Sequence, residues 1–302
     1  MRFEKLDLNL LVALDALLKH KNVSLAAKEL HLTQPALSSA LTRLRDYFSD
    51  ELLVINSGKK TFLTEKANSL ENPVREVLLQ IKNSITTEIA FNPATSKRHF
   101  NIVAADATLL TFLSTPLAAI SKLAPGLTFD IFNLDVKTFE MLETGETDLF
   151  FIIDNFTRPD HPSKKIYQDD YCVICCAESA YSKAISHEEY LKANHAVVFF
   201  GDISQQGYNE IYLDSEGIKI NITLRLPNYS TLPKCIIDSD RIATVPKKLA
   251  KEWKKSYPIN ILPVPIEMPV MTVSMQWHRS RESDTALAWL IELFEKHATY
   301  TS

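Results

Sequence analysis

The sequence predicts an α+β protein of several domains: an N-terminal winged helix-turn-helix, a long linking helix and a C-terminal α/β region. Three observations predict it. Residues 24–48, SLAAKELHLTQPALSSALTRLRDYF, read as two short amphipathic helices meeting at a tight break, His31-Leu32. Residues 64–90 carry apolar side chains at spacings of three and four, the period of a helix face. From Phe100 onward strand and helix patterns alternate, as they do in α/β units with parallel sheets.

Residues 1–63 form the first predicted domain. Leu6, Leu8, Leu10, Leu11, Leu14, Leu17 and Leu18 make an opening helix, with Asp7 as candidate N-cap. Val23, Leu25, Ala26, Ala27 and Leu30 give the packing side of the next helix. The third opens with Thr33-Gln34-Pro35: Thr33 suits an N-cap, and Pro35 suits the first turn, where its missing N–H costs nothing. At 100° per residue, Leu37, Leu41, Leu44 and Phe48 fall on one stripe. Pro35, Ser38, Ser39, Thr42 and Arg43 fall opposite. Small hydroxyls and one arginine on an outer face suit a DNA major groove, because nothing bulky blocks approach to base edges and phosphates. A solvated helix face would give the same pattern over so short a segment, so the flanks matter. After Phe48, residues 50–55 read as a strand, 56–60 (NSGKK) as a basic turn and 61–63 as a second strand, which together make a wing.

The LDLNLLVAL opening, SLAAKEL, TQPALS and the wing closing on Leu63-Thr64 resemble the LysR-type transcriptional regulators. The likeness is greatest to the nodulation regulators, which share the DLNLLVALDAL and PVRE stretches. It implies that Thr33, Gln34, Pro35, Ser38, Ser39, Thr42 and Arg43 meet double-stranded operator DNA, with Lys59 and Lys60 of the wing on phosphate or minor groove. The chain departs from the pattern at Ser39 and Asn56, where relatives often carry arginine, and at Asn68, where glycine is common.

In residues 64–90, Thr64 caps, Glu65 sits in the first turn, and Leu70, Val74, Leu78, Ile81 and Ile85 form the apolar stripe; Pro73 kinks the helix or marks a junction. Such a stripe must be buried somewhere. The resemblance implies a linker helix that pairs two chains into a homodimer, and two dimers into a homotetramer. Packing on its own domain is the alternative. Residues 91–96 then read as a linker.

Composition fits a globular protein, with 46% hydrophobic and 23% charged residues. No 18-residue apolar run is present to span a membrane. Glu4, Asp7 and Asn9 stand where a signal peptide needs apolar residues, so the expected location is the cytoplasm. Net charge is −4, but residues 1–66 hold ten Lys/Arg against eight Asp/Glu, a local +2. A domain so mildly basic needs two copies on one site for tight DNA binding. The four cysteines make no disulfide framework. Cys172, Cys175 and Cys176 lie in YCVICC, a buried-strand pattern, and read as buried apolar thiols, with a redox or metal role as the other reading.

In the C-terminal region, 100–104 and 127–132 read as strands, 106–123 and 136–143 as helices, and 149–153 as a third strand. The helix–Gly145–x–x–Asp148–strand step, PNYSTLP at 227–233, DRIATVP at 240–246, MQWHR at 275–279 and a terminal helix over 285–296 match the LysR-type effector domain. That likeness implies two α/β subdomains around a cleft, as in periplasmic binding proteins. Subdomain I would be about 91–161 and 268–302, and subdomain II about 162–267. The crossovers would fall near 154–166 and 262–268. Ligands of open α/β sheets bind beyond the C-terminal ends of strands. Asp106, Thr108, Asp135, Phe200, Tyr229, Ser230 and Thr231 sit at such ends and are the candidate effector contacts, beside Phe199, Gly201 and Asp202. Each also fits a helix cap or turn residue. Two inward aspartates, Asp106 and Asp135, would favour a neutral or cationic effector.

Nothing in the chain points to catalysis. It has no GxSxG, HExxH, GxGxxG or P-loop, only six glycines, and eight histidines without ligand spacing, so no cofactor or metal is expected. His278-Arg279, in an expected strand, reads as structural. Three functions compete: a ligand-responsive transcription factor, with RNA polymerase among its partners; a ligand-independent DNA-binding repressor with a vestigial cleft; and a solute-binding protein or enzyme with an added N-terminal domain. The missing export signal and catalytic set speak against the third.

Overall fold

The computed structural model describes residues 6–55, 61–85, 91–181, 183–201 and 206–300, without the side chains of 82–85. The chain divides into two compact units, Met1–Glu88 and Ile89–Ser302. Among the described residues no helix is long and apolar enough to cross a membrane.

In the first unit α1 (Asn9–His20), α2 (Val23–Glu29) and α3 (Gln34–Phe48) pack around a leucine core. Leu14, Leu17 and Leu18 of α1 and Leu37 and Leu44 of α3 are fully buried, which is what their three-and-four spacing dictates. Asp7 stands one residue outside the cap of α1. Leu8 takes the cap position, while the Asp7 carboxylate accepts the Asn9 N–H at 3.0 Å. The break between α2 and α3 falls at His31, whose φ of 54° is left-handed. β1 (Leu53–Ile55) and β2 (Thr61–Leu63) pair antiparallel, Leu53 opposite Leu63. The turn between them lies outside the described residues, and Lys59 and Lys60 with it.

α4 (Glu65–Ile85) starts at Thr64, whose Oγ1 accepts the Ala67 N–H at 3.1 Å, and continues through Pro73. Its apolar stripe is partly covered by its own chain. Val74 is buried, and Leu70 and Leu78 pack on the leucine core, because the stripe lies along α1. Arg75 of α4 pairs with Asp15 of α1 at 3.3 Å. Ile81 is half-buried; the Ile85 side chain lies outside the described residues.

The second unit holds two five-stranded sheets. β3 (His99–Val103) leads through α5 (Asp106–Thr108) and a π-helical turn, Leu109–Leu113, into α6 (Ser114–Leu123). Then come β4 (Thr128–Phe132), α7 (Val136–Glu143), β5 (Leu149–Ile153) and β6 (Ser163–Asp169). The chain passes to β7 (Tyr171–Cys176), α8 (His187–Lys192), β8 (Asn194–Val198), α9 (Tyr208–Ser215), β9 (Asn221–Leu226), α10 (Leu232–Ile236), β10 (Arg241–Pro246), α11 (Lys247–Lys254) and β11 (Ile259–Leu262). It returns through β12 (Met271–Gln276) to α12 (Thr285–Lys296). The first sheet has the order β4-β3-β5-β12-β6 and the second β11-β7-β10-β8-β9. β3 runs parallel to β4 and β5, as the crossover helices require, and β8 runs parallel to β9 and β10.

The first crossover lies later than 154–166. β6 belongs to the first sheet, where it pairs antiparallel with β12 from Ser163 opposite Gln276 to Asp169 opposite Met271. The chain therefore changes sheets at Asp169-Asp170, and subdomain I includes 163–169. The partner that holds β6 is about a hundred residues away, so no local pattern marks it. The return falls in the proline-containing stretch between β11 and β12. His278 is likewise not in a strand: it caps a 3-10 turn, Arg279–Arg281, with its Nδ1 2.8 Å from Ser280 Oγ.

Asp148, of the Gly-x-x-Asp step, accepts the Asn101 N–H at 2.7 Å and takes Arg281 at 2.7 Å and Arg98 at 3.3 Å. Asp284 caps α12 through the Ala286 and Leu287 N–H groups and also holds Arg98. Both carboxylates are nearly sealed from solvent, so this network ties β3, β5 and α12 together.

Candidate nucleic-acid interface and effector cavity

The exposed face of α3, the candidate reading face, is set by its own sequence. Thr33 is extended and its Oγ1 accepts the Ala36 N–H at 3.4 Å; Pro35 lies in the first turn. With Leu37, Leu41 and Leu44 turned inward, Gln34, Pro35, Ser38, Ser39, Thr42 and Arg43 are all exposed, as is Thr33. The Thr42 hydroxyl donates to Ser38 O at 3.1 Å, leaving its oxygen as an acceptor. Arg43 is not idle: its Nη2 lies 2.8 Å from Asp7 Oδ2. The hydrogen bond from Arg43, with the Asn9 N–H, holds the Asp7 carboxyl below its ordinary range. Sequence reasoning missed Arg45. Its Nε and Nη2 donate to Glu51 O and Leu53 O at 2.8 and 2.9 Å and so fasten the wing to the end of α3. These hydrogen bonds go to backbone oxygens, which carry no side-chain signature; the Glu51 carboxylate adds an ion pair at 3.2 Å.

In the effector unit a cavity of about 350 Å³ opens between the two subdomains. Thr108, Phe139, Phe151, Phe156 and Tyr167 come from the first; Phe200, Tyr208, Ile211 and Tyr229 from the second. Tyr171 and Met271 line it at the crossovers, with Pro246 of the second subdomain, the sheet partner of Tyr171, beside them. Thr108 Oγ1 and Tyr167 OH lie 3.3 Å apart, and the Phe156 and Tyr208 rings meet edge to face at 5.7 Å across the cleft. Burial pushes the phenols of Tyr167, Tyr171 and Tyr229 up, so they stay neutral hydrogen-bonding groups. Among the described residues the one cation of the lining, Arg158, pairs with Glu143 at 3.3 Å and sits 5.1 Å over Phe139. Asp135 lines the cavity but is occupied as the N-cap of α7: its Oδ1 accepts the Thr138 N–H at 2.8 Å. Such a lining suits an uncharged, mostly apolar ligand held by a few polar groups.

Two contacts close the cleft beside this cavity. Gly201, with φ +70°, brings the second subdomain so near the first that a Cβ there would lie 2.6 Å from Asp135 Cβ. Asp106 Oδ2 accepts both the N–H and the hydroxyl of Ser230, each at 2.7 Å, linking the first subdomain to the second.

The expected effector contacts therefore divide. Thr108, Asp135, Phe200 and Tyr229 line the cavity. Asp106 and Ser230 do not, because they bond each other across the cleft. Thr231 does not either: its N–H and hydroxyl both donate to Asn228 Oδ1, at 3.2 and 3.0 Å, in a local turn. Asp202 lies outside the described residues. The aromatic walls from β5, β6 and α9 were missed, because nothing near Phe151, Tyr167 or Tyr208 in the sequence shows that the fold brings them to one cavity.

All four cysteines are free, and Cys172, Cys175 and Cys176 are buried. Burial pushes the Cys172 thiol up to about 12, where it is inert. Among the described residues no group of His, Cys, Asp or Glu is arranged to hold a metal. The fold does bring the His161 and His278 rings to 4.6 Å, a pairing that the sequence spacing hid.

Comparison with known proteins accounts for both units. Residues 8–68 match the bacterial regulatory helix-turn-helix model of the lysR family, and residues 94–299 match the LysR substrate binding domain. Nodulation protein D 2 of Rhizobium leguminosarum bv. phaseoli is 34% identical over 300 residues, covering 99% of this chain and 94% of the relative. A probable transcriptional regulator of Pseudomonas aeruginosa has a similar structure, with TM-score 0.64 and 27% identity over 97% of this chain and 98% of that one. Full-length CbnR in complex with its target DNA shares the fold, with TM-score 0.57 and 15% identity over 97% of this chain and 100% of that one. The chain belongs to the LysR family of bacterial transcriptional regulators and is similar along its whole length to the nodulation regulators.

Proposed function

We propose that the chain reads operator DNA through α3 and the wing, and that a small molecule held between the two effector subdomains controls its activity. One observation carries the reading: the 350 Å³ cavity takes its walls from both subdomains, so an occupant can bind one arrangement of them better than another. A vestigial cleft would be filled with side chains, and this one is open. Gln34, Ser38, Ser39 and Arg43 meet base edges and phosphates, Thr33, Pro35 and Thr42 shape and flank that face, and Lys59 and Lys60 add phosphate contacts. The effector is neutral and largely apolar, because the phenols are uncharged and Arg158 and Asp135 already have partners.

Filling the cavity tests the reading. Thr108→Trp is expected to abolish effector response in a reporter strain. It leaves basal operator affinity within about threefold, roughly 0.7 kcal/mol, in a gel-shift titration at fixed salt. A normal response from this variant would sink the cavity model.

Assembly is part of the proposal. The dimer forms through α4, and two dimers make a tetramer that works in the cytoplasm with RNA polymerase. Leu70, Val74 and Leu78 already lean on α1, so the pairing face is the remainder of the helix: exposed Val77, half-buried Ile81, and Ile85 one turn further on. Val77→Glu with Ile81→Glu is expected to give monomers by light scattering. A wild-type mass would place the seam elsewhere.

A further inference from the structure

We infer that Asp106 and Ser230 form a latch: the pair holds the two effector subdomains together beside the cavity and must part before a ligand can enter. The latch rests on the effector reading above, since it controls access to that same cavity.

Asp106 is flanked in sequence by Ala105, Ala107 and Thr108, all of which line the cavity, and Ser230 follows Tyr229, which lines it from the second subdomain. One carboxylate oxygen of Asp106, Oδ2, accepts both the N–H and the hydroxyl of Ser230, each at 2.7 Å. Ala107 reaches further across. It is buried in the apolar cluster of the second subdomain, with Tyr229 and Leu232. The short turn α5 is therefore seated on the second subdomain and pinned there by its own first residue, Asp106. The Tyr229 phenol senses the same closeness: burial first, and then the Asp106 charge, push it up. Gly201 against Asp135 and the Phe156 ring against Tyr208 also meet across the cleft, but neither contact is a hydrogen bond.

Burial separates this pair from the structural ion pairs of the same unit. Arg98–Asp284 and Arg281–Asp148 are nearly sealed from solvent, so parting either one strands a buried charge. Asp106 is half-buried and Ser230 is exposed. When they part, water takes over their hydrogen bonds, and neither is left buried without a partner. A carboxylate acceptor makes each bond stronger than a neutral one, so the cleft is held shut. Access to water lets it reopen.

The test measures opening directly and needs no effector. Thr108 lines the cavity and is 5% exposed, so Thr108→Cys puts a thiol where a reagent reaches it only through an open cleft. Cys235 is half-buried and is removed by Cys235→Ser; the other three cysteines are buried. Methyl methanethiosulfonate, small and uncharged, is the probe, and mass spectrometry follows the labelling of the full chain. Ser230→Ala in this background removes one hydrogen bond and is expected to speed labelling by about threefold to tenfold. Asp106→Ala removes both and is expected to speed it by about tenfold or more. Ser230→Thr keeps both donors and is expected to stay within about twofold of the parent. An unchanged rate in the Asp106→Ala chain overturns the latch, because the cavity then fills by another route. A parallel rise in labelling of Cys172 overturns it too, because the pair is then a general support of the fold. A normal effector response from Thr108→Trp would remove the effector reading and leave these rates as they are, so the two fail separately.

Discussion

The proposed reading face of α3 and the proposed effector cavity are built in opposite ways. The reading face is a stripe on one helix of 15 residues, polar and exposed, backed by a separate set of leucines that does the packing. The cavity draws its lining from Ala105 to Val273, and much of that lining is itself core. Phe151, Tyr167, Met271 and Val273 are each almost wholly buried and also line the cavity. On α3, then, function and stability sit on different side chains and can be changed separately. In the cavity they sit on the same side chains, so a change in ligand preference also disturbs the packing that positions the subdomains.

The largest effect expected from this contrast is at Phe151. Its ring meets Phe112 and Phe294 and is 1% exposed, so Phe151→Ala is expected to cost about 3–5 kcal/mol in urea unfolding of the effector unit. Ser38→Ala is expected to stay within about 0.5 kcal/mol of wild type in the same measurement while lowering operator affinity. A Phe151→Ala chain as stable as wild type would break the comparison, since the cavity wall would then not be core.

The buried carboxylates give the next effect, with a pH signature. Burial pushes the Asp284 carboxyl up, but the Arg98 hydrogen bond, the Leu287 N–H and the charges of Arg98 and Arg281 outweigh it, and its pKa falls below the ordinary 3.8. The unfolded chain then binds the proton more readily than the native one, so this stabilisation is present above 3.8 and lost as pH falls through the native value. Asp284→Asn is expected to cost about 3 kcal/mol at neutral pH by leaving Arg98 without its fork. The gap between variant and wild type is expected to shrink below 3.8 in thermal melts. A gap that widens in acid would reverse the sign of the argument.

The same contrast explains what was legible in the sequence. The helix-turn-helix is a local pattern: a cap, a proline in the first turn and four leucines or phenylalanine at fixed spacing all fall within residues 33–48, and each appears where expected. The strands near 100–104, 127–132 and 149–153 and the helices over 136–143 and 285–296 were legible for the same reason. Pairings across the chain were not. β6 is held by β12, Asp106 by Ser230, and Arg43 by Asp7, and none of these partners is signalled near its mate. Asp106 and Ser230 were placed correctly at strand ends facing the cleft, yet they meet each other and leave the cavity to aromatics from several strands. The stripe of α4 shows a further limit of local pattern: periodicity gives an apolar face but not whether α1 of the same chain or a second chain covers it. Here α1 covers Leu70, Val74 and Leu78.

The smallest effect separates the two surfaces most cleanly, because it involves no buried group. Asp7 and Arg43 form an exposed pair, with 36% and 57% of their side-chain surfaces open to solvent. Exposed pairs of this kind add little to stability, so Asp7→Asn is expected to leave thermal unfolding unchanged. On DNA the pair has a consequence. Arg43 must exchange the Asp7 carboxylate for a phosphate or base edge, and a carboxylate beside the reading face repels the phosphate backbone. Removing the charge frees one cation for the nucleic acid. Asp7→Asn is therefore expected to tighten binding to operator and nonspecific duplex alike, and to steepen the plot of log affinity against log salt by up to about 0.9, the yield of one added phosphate contact. Arg43→Ala in the Asp7→Asn background is expected to cancel that gain. The opposite outcome, weaker binding confined to the operator, would mean that Asp7 holds the Arg43 guanidinium in the pose that reads a base, and that the pair serves specificity instead of competing with DNA.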